Sequence, residues 1–411
     1  MHSRGCLGIL VLIGIAVFFS TDRKNISLRT VLACLGAQIA IGLLVLRVPA
    51  GQQLLWEVSQ FVTRILSCGD EGARFLFGAL ASDKMDGVFP HDGFVFAFRV
   101  LPSLVYVSAL IAILFHIGAM QFFARVTGKL LQKLLGTSPV ESFGAVITIF
   151  IGQSELPVAL GPYLRTMAST ELFSVLCSGA ASVSGATLVG YVGLGVPAHY
   201  LVAASFMAIP GGMMFAKILQ PRAPGSPVDT LAAGQHSYNQ AIFETITEGA
   251  LKGTRTAVAV AATLVAFIGL IALVNSGLQA LGPLIHLPAL SLEYLFGMVF
   301  SPIAWLLGVP AGECSIVGSV LGLKLVINEF VAYLHLSPSL QNGVLSARSG
   351  AIAAFALCGF ANLSSIGILV AAFGSQCPER REELARVAAR AVMAGMLSNF
   401  MSAAIAGVLI A

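Results

Sequence analysis

Charge is scarce in this sequence. Its 411 residues include 23 Lys or Arg and 19 Asp or Glu, together 10% of the chain. Soluble domains carry about 25%, so there are too few charges here to clothe a water-facing surface. The net charge of +4 is spread thinly, with no basic tract, which argues against a nucleic-acid partner. Organised cysteine is also missing. Cys6, Cys34, Cys68, Cys177, Cys314, Cys358 and Cys377 form no Cys-x-x-Cys pair, and none sits near a His at metal-ligand spacing. Most lie in apolar runs, where Cys acts as a small hydrophobe. His116, also in an apolar run, reads as an interior His with a hydrogen-bond partner. No nucleophile–base pair and no metal-binding cluster stands out. That speaks against an intramembrane enzyme, and no cofactor is expected.

Apolar sequence is abundant. The hydrophobic classes make up 57% of the residues and the mean hydropathy is +0.90. A bilayer span needs roughly 20 mostly apolar residues. Candidate spans lie near 5–20, 28–47, 100–123, 172–195, 200–219, 255–275, 350–373 and 388–411. The first has no small-residue cleavage site after it, only Ser20-Thr21-Asp22-Arg23-Lys24, so it reads as a retained span. Two stretches, about 138–168 and 291–336, are apolar but broken by Gly, Pro and acidic residues, which suits paired short helices. In 50–98, Trp56, Val58, Phe61, Val62 and Ile65 recur at helical spacing, as in an amphipathic helix on the membrane surface or packed on protein. The expectation is an all-α polytopic protein with about eight transmembrane helices and two re-entrant helical hairpins. Its expected units are 1–123 (scaffold spans and interfacial helix), 124–220 (first hairpin and transport spans), 221–290 (scaffold span with an amphipathic lead-in) and 291–411 (second hairpin and transport spans).

Basic residues set the orientation. Arg23, Lys24 and Arg29 follow the first span, Arg125, Lys129 and Lys133 the third, and Arg380, Arg381, Arg386 and Arg390 precede the last. Placing all of them in the cytoplasm puts both termini outside. The sequence also repeats itself. Leu134-Leu135-Gly136 with Glu141 resembles Leu306-Leu307-Gly308 with Glu313, and Gln153-Ser154-Glu155-Leu156 resembles Ile327-Asn328-Glu329-Phe330. Leu176-Cys177 with Ser182 resembles Leu357-Cys358 with Asn362, and Val202-Ala203-Ala204 resembles Val387-Ala388-Ala389. The matches keep one order, and the topology inverts the second copy. Inverted repeats with interrupted apolar segments place a transporter's substrate near the bilayer midplane between the copies. A channel would not need paired broken helices.

Carboxylates at membrane depth are costly and mark function. Glu155 follows Gly152-Gln153-Ser154 and precedes Leu156-Pro157, so a helix break is expected there. Glu329 lies in Leu325-Val326-Ile327-Asn328-Glu329-Phe330-Val331. The structural alternative pairs each with a buried base, Lys324 or Arg348 being candidates. The matching spans carry Ser178, Ser182, Ser184 and Thr187 in one copy and Asn362, Ser364 and Ser365 in the other. Ser in such spans often serves only close helix packing, but a buried Asn needs several partners. The set donates and accepts hydrogen bonds without strong positive charge, as a neutral, hydroxyl-rich solute requires.

Five motifs resemble the concentrative nucleoside transporter family over nearly the whole chain. They are Phe96-Ala97-Phe98-Arg99-Val100-Leu101-Pro102, Gly152-Gln153-Ser154-Glu155, Lys324-Leu325-Val326-Ile327-Asn328-Glu329-Phe330-Val331-Ala332-Tyr333, Ser346-Ala347-Arg348-Ser349, and, most specific, Ala356-Leu357-Cys358-Gly359-Phe360-Ala361-Asn362-Leu363-Ser364-Ser365-Ile366-Gly367. The resemblance implies a nucleoside symporter (for uridine, for example) in a bacterial inner membrane. It implies a homotrimer whose transport domains move in the bilayer as elevators. By motif, Gln153, Ser154, Glu155 and Thr187 would face the nucleobase, and Glu329, Asn362 and Ser365 the ribose. The ion-coupling positions would be Thr148, Ile151, Ser182 and Val183. Sodium-coupled relatives carry Asn where this chain has Thr148, so a proton is favoured over sodium, with Glu155 as carrier because burial favours the neutral acid.

Overall fold

A computed structural model describes residues 2–82, 95–161, 163–222, 241–287 and 290–410. The described regular elements are helices. The first three are α1 (His2–Phe18), α2 (Leu28–Leu46) and α3 (Pro49–Phe77). α3 is the expected amphipathic helix, with Trp56 and Phe61 exposed. The side chains of Val58 and Val62, and residues 83–94 of the same expected segment, lie outside the described residues.

The first repeat starts with α4 (Leu101–His116), a span led in by one turn at Phe96–Arg99. Gly118, at φ +79°, then turns the chain into α5 (Ala119–Leu135). Gln121, Arg125, Lys129 and Lys133 lie four residues apart on one face of α5, so it is amphipathic. The span expected at 100–123 therefore ends earlier. Next come α6 (Pro139–Ile151) and the short α7 (Leu156–Ala159), forming a hairpin. A capping box starts α6: the Ser138 side chain accepts from the Glu141 N–H while the Glu141 carboxylate accepts from the Ser138 N–H. The next span is split into α8 (Ser169–Ala181) and α9 (Gly185–Gly193), and α10 (Ala198–Leu219) closes the repeat.

The second repeat follows the same plan. α11 (Ile242–Leu281) is a 40-residue span, ~60 Å at 1.5 Å per residue. α12 (Leu292–Leu306) corresponds to α5, and Gly136 and Gly308 end the two helices at φ +67° and +100°. α13 (Cys314–Val326) and α14 (Glu329–Gln341) form the second hairpin. Its bounds correct the sequence expectation: 291–306 belongs to a separate helix, and the hairpin runs on past 336. Gly308 turns the chain between α12 and α13, which pack tightly against each other, so a mostly apolar stretch concealed two elements. α15 (Ala347–Leu357) and α16 (Leu363–Gln376) form the second broken span, and α17 (Arg381–Leu409) is the last. Three crossings and a returning hairpin separate the start of one repeat from the other, so the second copy is inverted.

The core gathers around α17, which packs on α1, α8, α10, α15 and α16. Small residues permit this: a Cβ at Gly395 of α17 would lie 2.7 Å from the Ala180 carbonyl carbon. By contrast α11 packs mainly on α4 and leaves Val258, Val265 and Leu273 exposed. With α1 and the two broken spans counted, eight crossings result among the described residues, as expected from hydropathy.

Candidate substrate and ion site

Both broken spans unwind at the same depth and cross. α8 stops at Ala181, and Ser184 caps α9 by accepting from the Thr187 N–H at 3.2 Å. α15 stops at Leu357, and Asn362 caps α16, its Oδ1 accepting from the Ser365 N–H at 2.9 Å. The helix caps thus pair Ser184 with Asn362, two residues from the Ser182 match suggested by sequence. The Phe360 N–H donates to the Ser182 carbonyl at 3.2 Å, joining the breaks. Unwound carbonyls in an apolar core need partners, and Asn399 of α17 supplies them. Its Nδ2 donates to the Ala181 carbonyl at 2.6 Å and the Cys358 carbonyl at 2.9 Å. Lys324 Nζ donates to the Ala356 carbonyl at 2.7 Å and to Asn399 Oδ1 at 2.8 Å. Gly359 is required beside it, since a Cβ there would stand 2.2 Å from Asn399 Oδ1.

The hairpin tips meet this crossing. In the first, Gly152 adopts φ +79°, and a Cβ would lie 2.9 Å from Ser184 Cβ. Both facts demand glycine. Gln153 is buried; its Nε2 donates to Ser365 Oγ at 3.0 Å, while its Oε1 has no protein partner. Ser154 is exposed, and Glu155 is half-buried with Oε2 2.8 Å from Lys252 Nζ of α11. In the second tip, Asn328 caps α14 by accepting from the Val331 N–H at 2.9 Å. Glu329 is buried. Tyr191 OH donates to its Oε1 and Asn362 Nδ2 to its Oε2, each at 3.0 Å.

Of the residues singled out from sequence, Glu329, Asn362, Ser365 and Gln153 form one hydrogen-bonded chain. Thr187 stands on the first turn of α9, its hydroxyl 2.7 Å from Ser184 Oγ, beside Gly152. Thr148 and Ser182 are buried with their hydroxyls 3.3 Å apart; Val183 is buried and Ile151 half-buried next to them. Among the described residues neither glutamate makes a direct ion pair with Lys324 or Arg348, although Lys324 lies close enough to Glu329 for their charges to interact. Lys324 is bonded to Ala356 and Asn399, and Arg348 lies near Gly308. Tyr191, Asn399 and Lys252 escaped the sequence reading. Tyr191 sits in an ordinary apolar run and Lys252 in a polar helix start, and only the fold aims them at carboxylates. A separate cavity of about 320 Å³ lined by Phe96, Leu194, Leu264, Phe330 and Leu334 is apolar, so the polar chemistry lies outside it. It marks a loose seam between α11 and α14.

The fold and site define a class: an all-α inverted-repeat membrane carrier of the elevator type, with two re-entrant hairpins meeting two broken spans. Family models described as Na+ dependent nucleoside transporter N-terminus, Nucleoside recognition, and Na+ dependent nucleoside transporter C-terminus match residues 7–80, 97–198 and 200–407. The chain is 44% identical to the putative nucleoside permease NupX of Escherichia coli, covering 98% of each chain. It is 40% identical to the nucleoside permease NupC of Helicobacter pylori, over 98% of this chain and 97% of that one. CNTnw in an inward-facing substrate-bound state superposes with a TM-score of 0.94 at 46% identity, over 99% of this chain and 97% of that one. A CNTnw variant in an outward-facing state superposes as well, at 0.95. The chain belongs to the concentrative nucleoside transporter family; it is a cation-coupled nucleoside transporter and not an enzyme.

Proposed function

We propose that the chain is a nucleoside:proton symporter of a bacterial inner membrane. Glu329, Asn362 and Ser365 hold the ribose hydroxyls, and Gln153, Ser154, Glu155 and Thr187 face the base. The observation that carries this reading is the chain Gln153–Ser365–Asn362–Glu329, which ties the first hairpin tip to the second. A ribose inserted at Glu329 can donate both hydroxyls to a carboxylate already oriented by Tyr191 and Asn362. A base can donate to the unpartnered Gln153 Oε1. Recognition by buried groups of this kind discriminates strongly against solutes that lack the matching hydroxyl.

The units 124–220 and 291–411, which carry both hairpins and both broken spans, move together as the transport domain, while α1 to α4 and α11 form the scaffold. Three copies assemble, with both termini periplasmic. Thr148 and Ser182 bring only two hydroxyls, supplemented by the carbonyls of Ile151 and Val183, to the position where sodium-coupled relatives place an Asn. That poor oxygen set supports the proton, with Glu155 as its carrier; were sodium the ion, these four residues would hold it. Uridine uptake into proteoliposomes, with sodium and pH varied independently, tests the reading. Uptake should persist without sodium and collapse with a protonophore; strict sodium dependence would overturn the proton assignment. No saturable nucleoside uptake under any gradient would overturn the transport reading itself.

A further inference from the structure

The two glutamates differ in who neutralises them. Glu329 is held by groups of its own bundle, whereas Glu155 is held by Lys252, which belongs to α11. α11 is pinned to α4: a Cβ at Gly253 would lie 2.6 Å from Val105 Cα, and one at Gly249 2.9 Å from Ala109 Cα. His116 Nδ1 and Thr245 Oγ1, 3.0 Å apart, add a polar tie between the same helices. The ammonium of Lys252 therefore hangs from a fixed post.

The charges on α11 are confined to one end. Glu244, Glu248, Lys252 and Arg255 occupy its first four turns, and no Asp, Glu, Lys or Arg follows up to Leu281. Among the described residues, the other elements around the first hairpin tip offer Glu155 no alternative counter-charge. α16, packed on α7, has no ionisable residue; the break from Ser182 to Ser184 has none; α4 has only Tyr106, whose hydroxyl meets Cys68, and His116, which faces Thr245, and neither is a cation at Glu155. A hairpin tip sliding along α11 toward its C-terminus by more than about two turns, ~11 Å, leaves every cation of that helix behind. A bare carboxylate facing Val258, Ala262 and Val265 would be prohibitively costly there. Glu155 can make that passage only when a proton or a bound cation neutralises it.

We propose that Lys252 is the group that discharges the coupling ion. When the tip reaches the charged end of α11, the ammonium pairs with the Glu155 carboxylate in place of the proton or cation, which passes to water. Lys252 keeps its own protons throughout. Return of the empty carrier then requires Glu155 to be neutralised afresh, so the pair also suppresses slippage. The inference rests on the scaffold and transport partition proposed above, but not on which ion is used.

Net uptake and exchange separate this role from a structural one. Exchange of internal for external nucleoside needs only the nucleoside to leave, with Glu155 still neutral; net uptake needs the ion to leave too. The experiment compares Lys252→Met, Lys252→Arg and the unmodified chain in proteoliposomes, measuring gradient-driven [3H]uridine uptake and uridine counterflow. Lys252→Met should lower net uptake at least tenfold while counterflow stays within about twofold, and Lys252→Arg should restore net uptake. Equal loss of both activities, or no loss of either, would overturn the proposal. An unmodified chain that moves no uridine would instead overturn the transport reading, so the two failures are distinguishable.

Discussion

Glu155 and Glu329 occupy equivalent hairpin tips in two inverted copies, yet their surroundings differ in kind. The side chain of Glu155 is 30% exposed and answers to a lysine on a neighbouring post; Glu329 is 5% exposed and answers to Tyr191 and Asn362 inside the bundle. A partner that travels with the carboxylate can orient it for a ligand in every position of the carrier. A partner that stays behind can report position. On the proposed reading, two carboxylates at one kind of site differ in what faces them, so that one binds and the other couples.

The comparison is broken most decisively at Glu329. Glu329→Gln keeps the shape but replaces one acceptor oxygen by a donor, which then faces Tyr191 OH or Asn362 Nδ2. Charge-assisted hydrogen bonds contribute roughly 1.5–3 kcal/mol each, so the affinity for uridine should fall about 10- to 100-fold. Membrane insertion should be retained, because the amide fits the same space. Uridine-dependent thermal stabilisation of the purified protein measures this; unchanged affinity would remove Glu329 from the site. At the other tip, Glu155→Gln should leave uridine counterflow measurable while abolishing the dependence of accumulation on the driving gradient. If Glu155→Gln still concentrates uridine in response to a gradient, the division of labour between the two tips is wrong.

The Gln153–Ser365 bond that links the tips is a smaller lever. Gln153→Ala removes a donor to Ser365 and an acceptor for the base. Neutral hydrogen bonds contribute about 0.5–1.5 kcal/mol, so KM should rise by up to about tenfold with little change in protein stability. A shift confined to one base class would locate the contact on the base; an equal shift for all nucleosides would locate it on hairpin closure.

These sites were unequally legible in the sequence. Glu155 and Glu329 stood out because a carboxylate in an apolar run is rare, and Gly152 and Pro157 announced the first tip. The second hairpin was misplaced because α12 and α13 are both apolar and only a short turn from Leu307 to Glu313 separates them. The crossing of the broken spans was hidden more deeply. Ser182 to Ser184 and Cys358 to Ala361 are small or apolar, and they read as continuous helix until Asn399 and Lys324 are seen satisfying the carbonyls they free. Tyr191 and Lys252 act through tertiary placement alone, which no local pattern carries.

The smallest expected effect lies beside the first tip, at the hydroxyl pair Thr148 and Ser182. These groups are buried and already within hydrogen-bond distance of each other, and Ser182 Oγ also donates to the Ser178 carbonyl at 2.9 Å. A cation entering here would have to compete with those bonds and would find few oxygens; hard cations favour sites rich in oxygen ligands. Thr148→Asn adds an amide carbonyl at the position where the resemblance places it in sodium-coupled relatives. If the proton assignment to Glu155 is right, the variant should gain a modest sodium stimulation of uridine uptake, about two- to fivefold, on top of uptake that still runs on protons. Sodium stimulation of equal size in the unmodified chain would instead mean that Thr148 and Ser182 already hold the ion. The first tip would then differ from the second by a bound cation rather than by a titrating carboxylate.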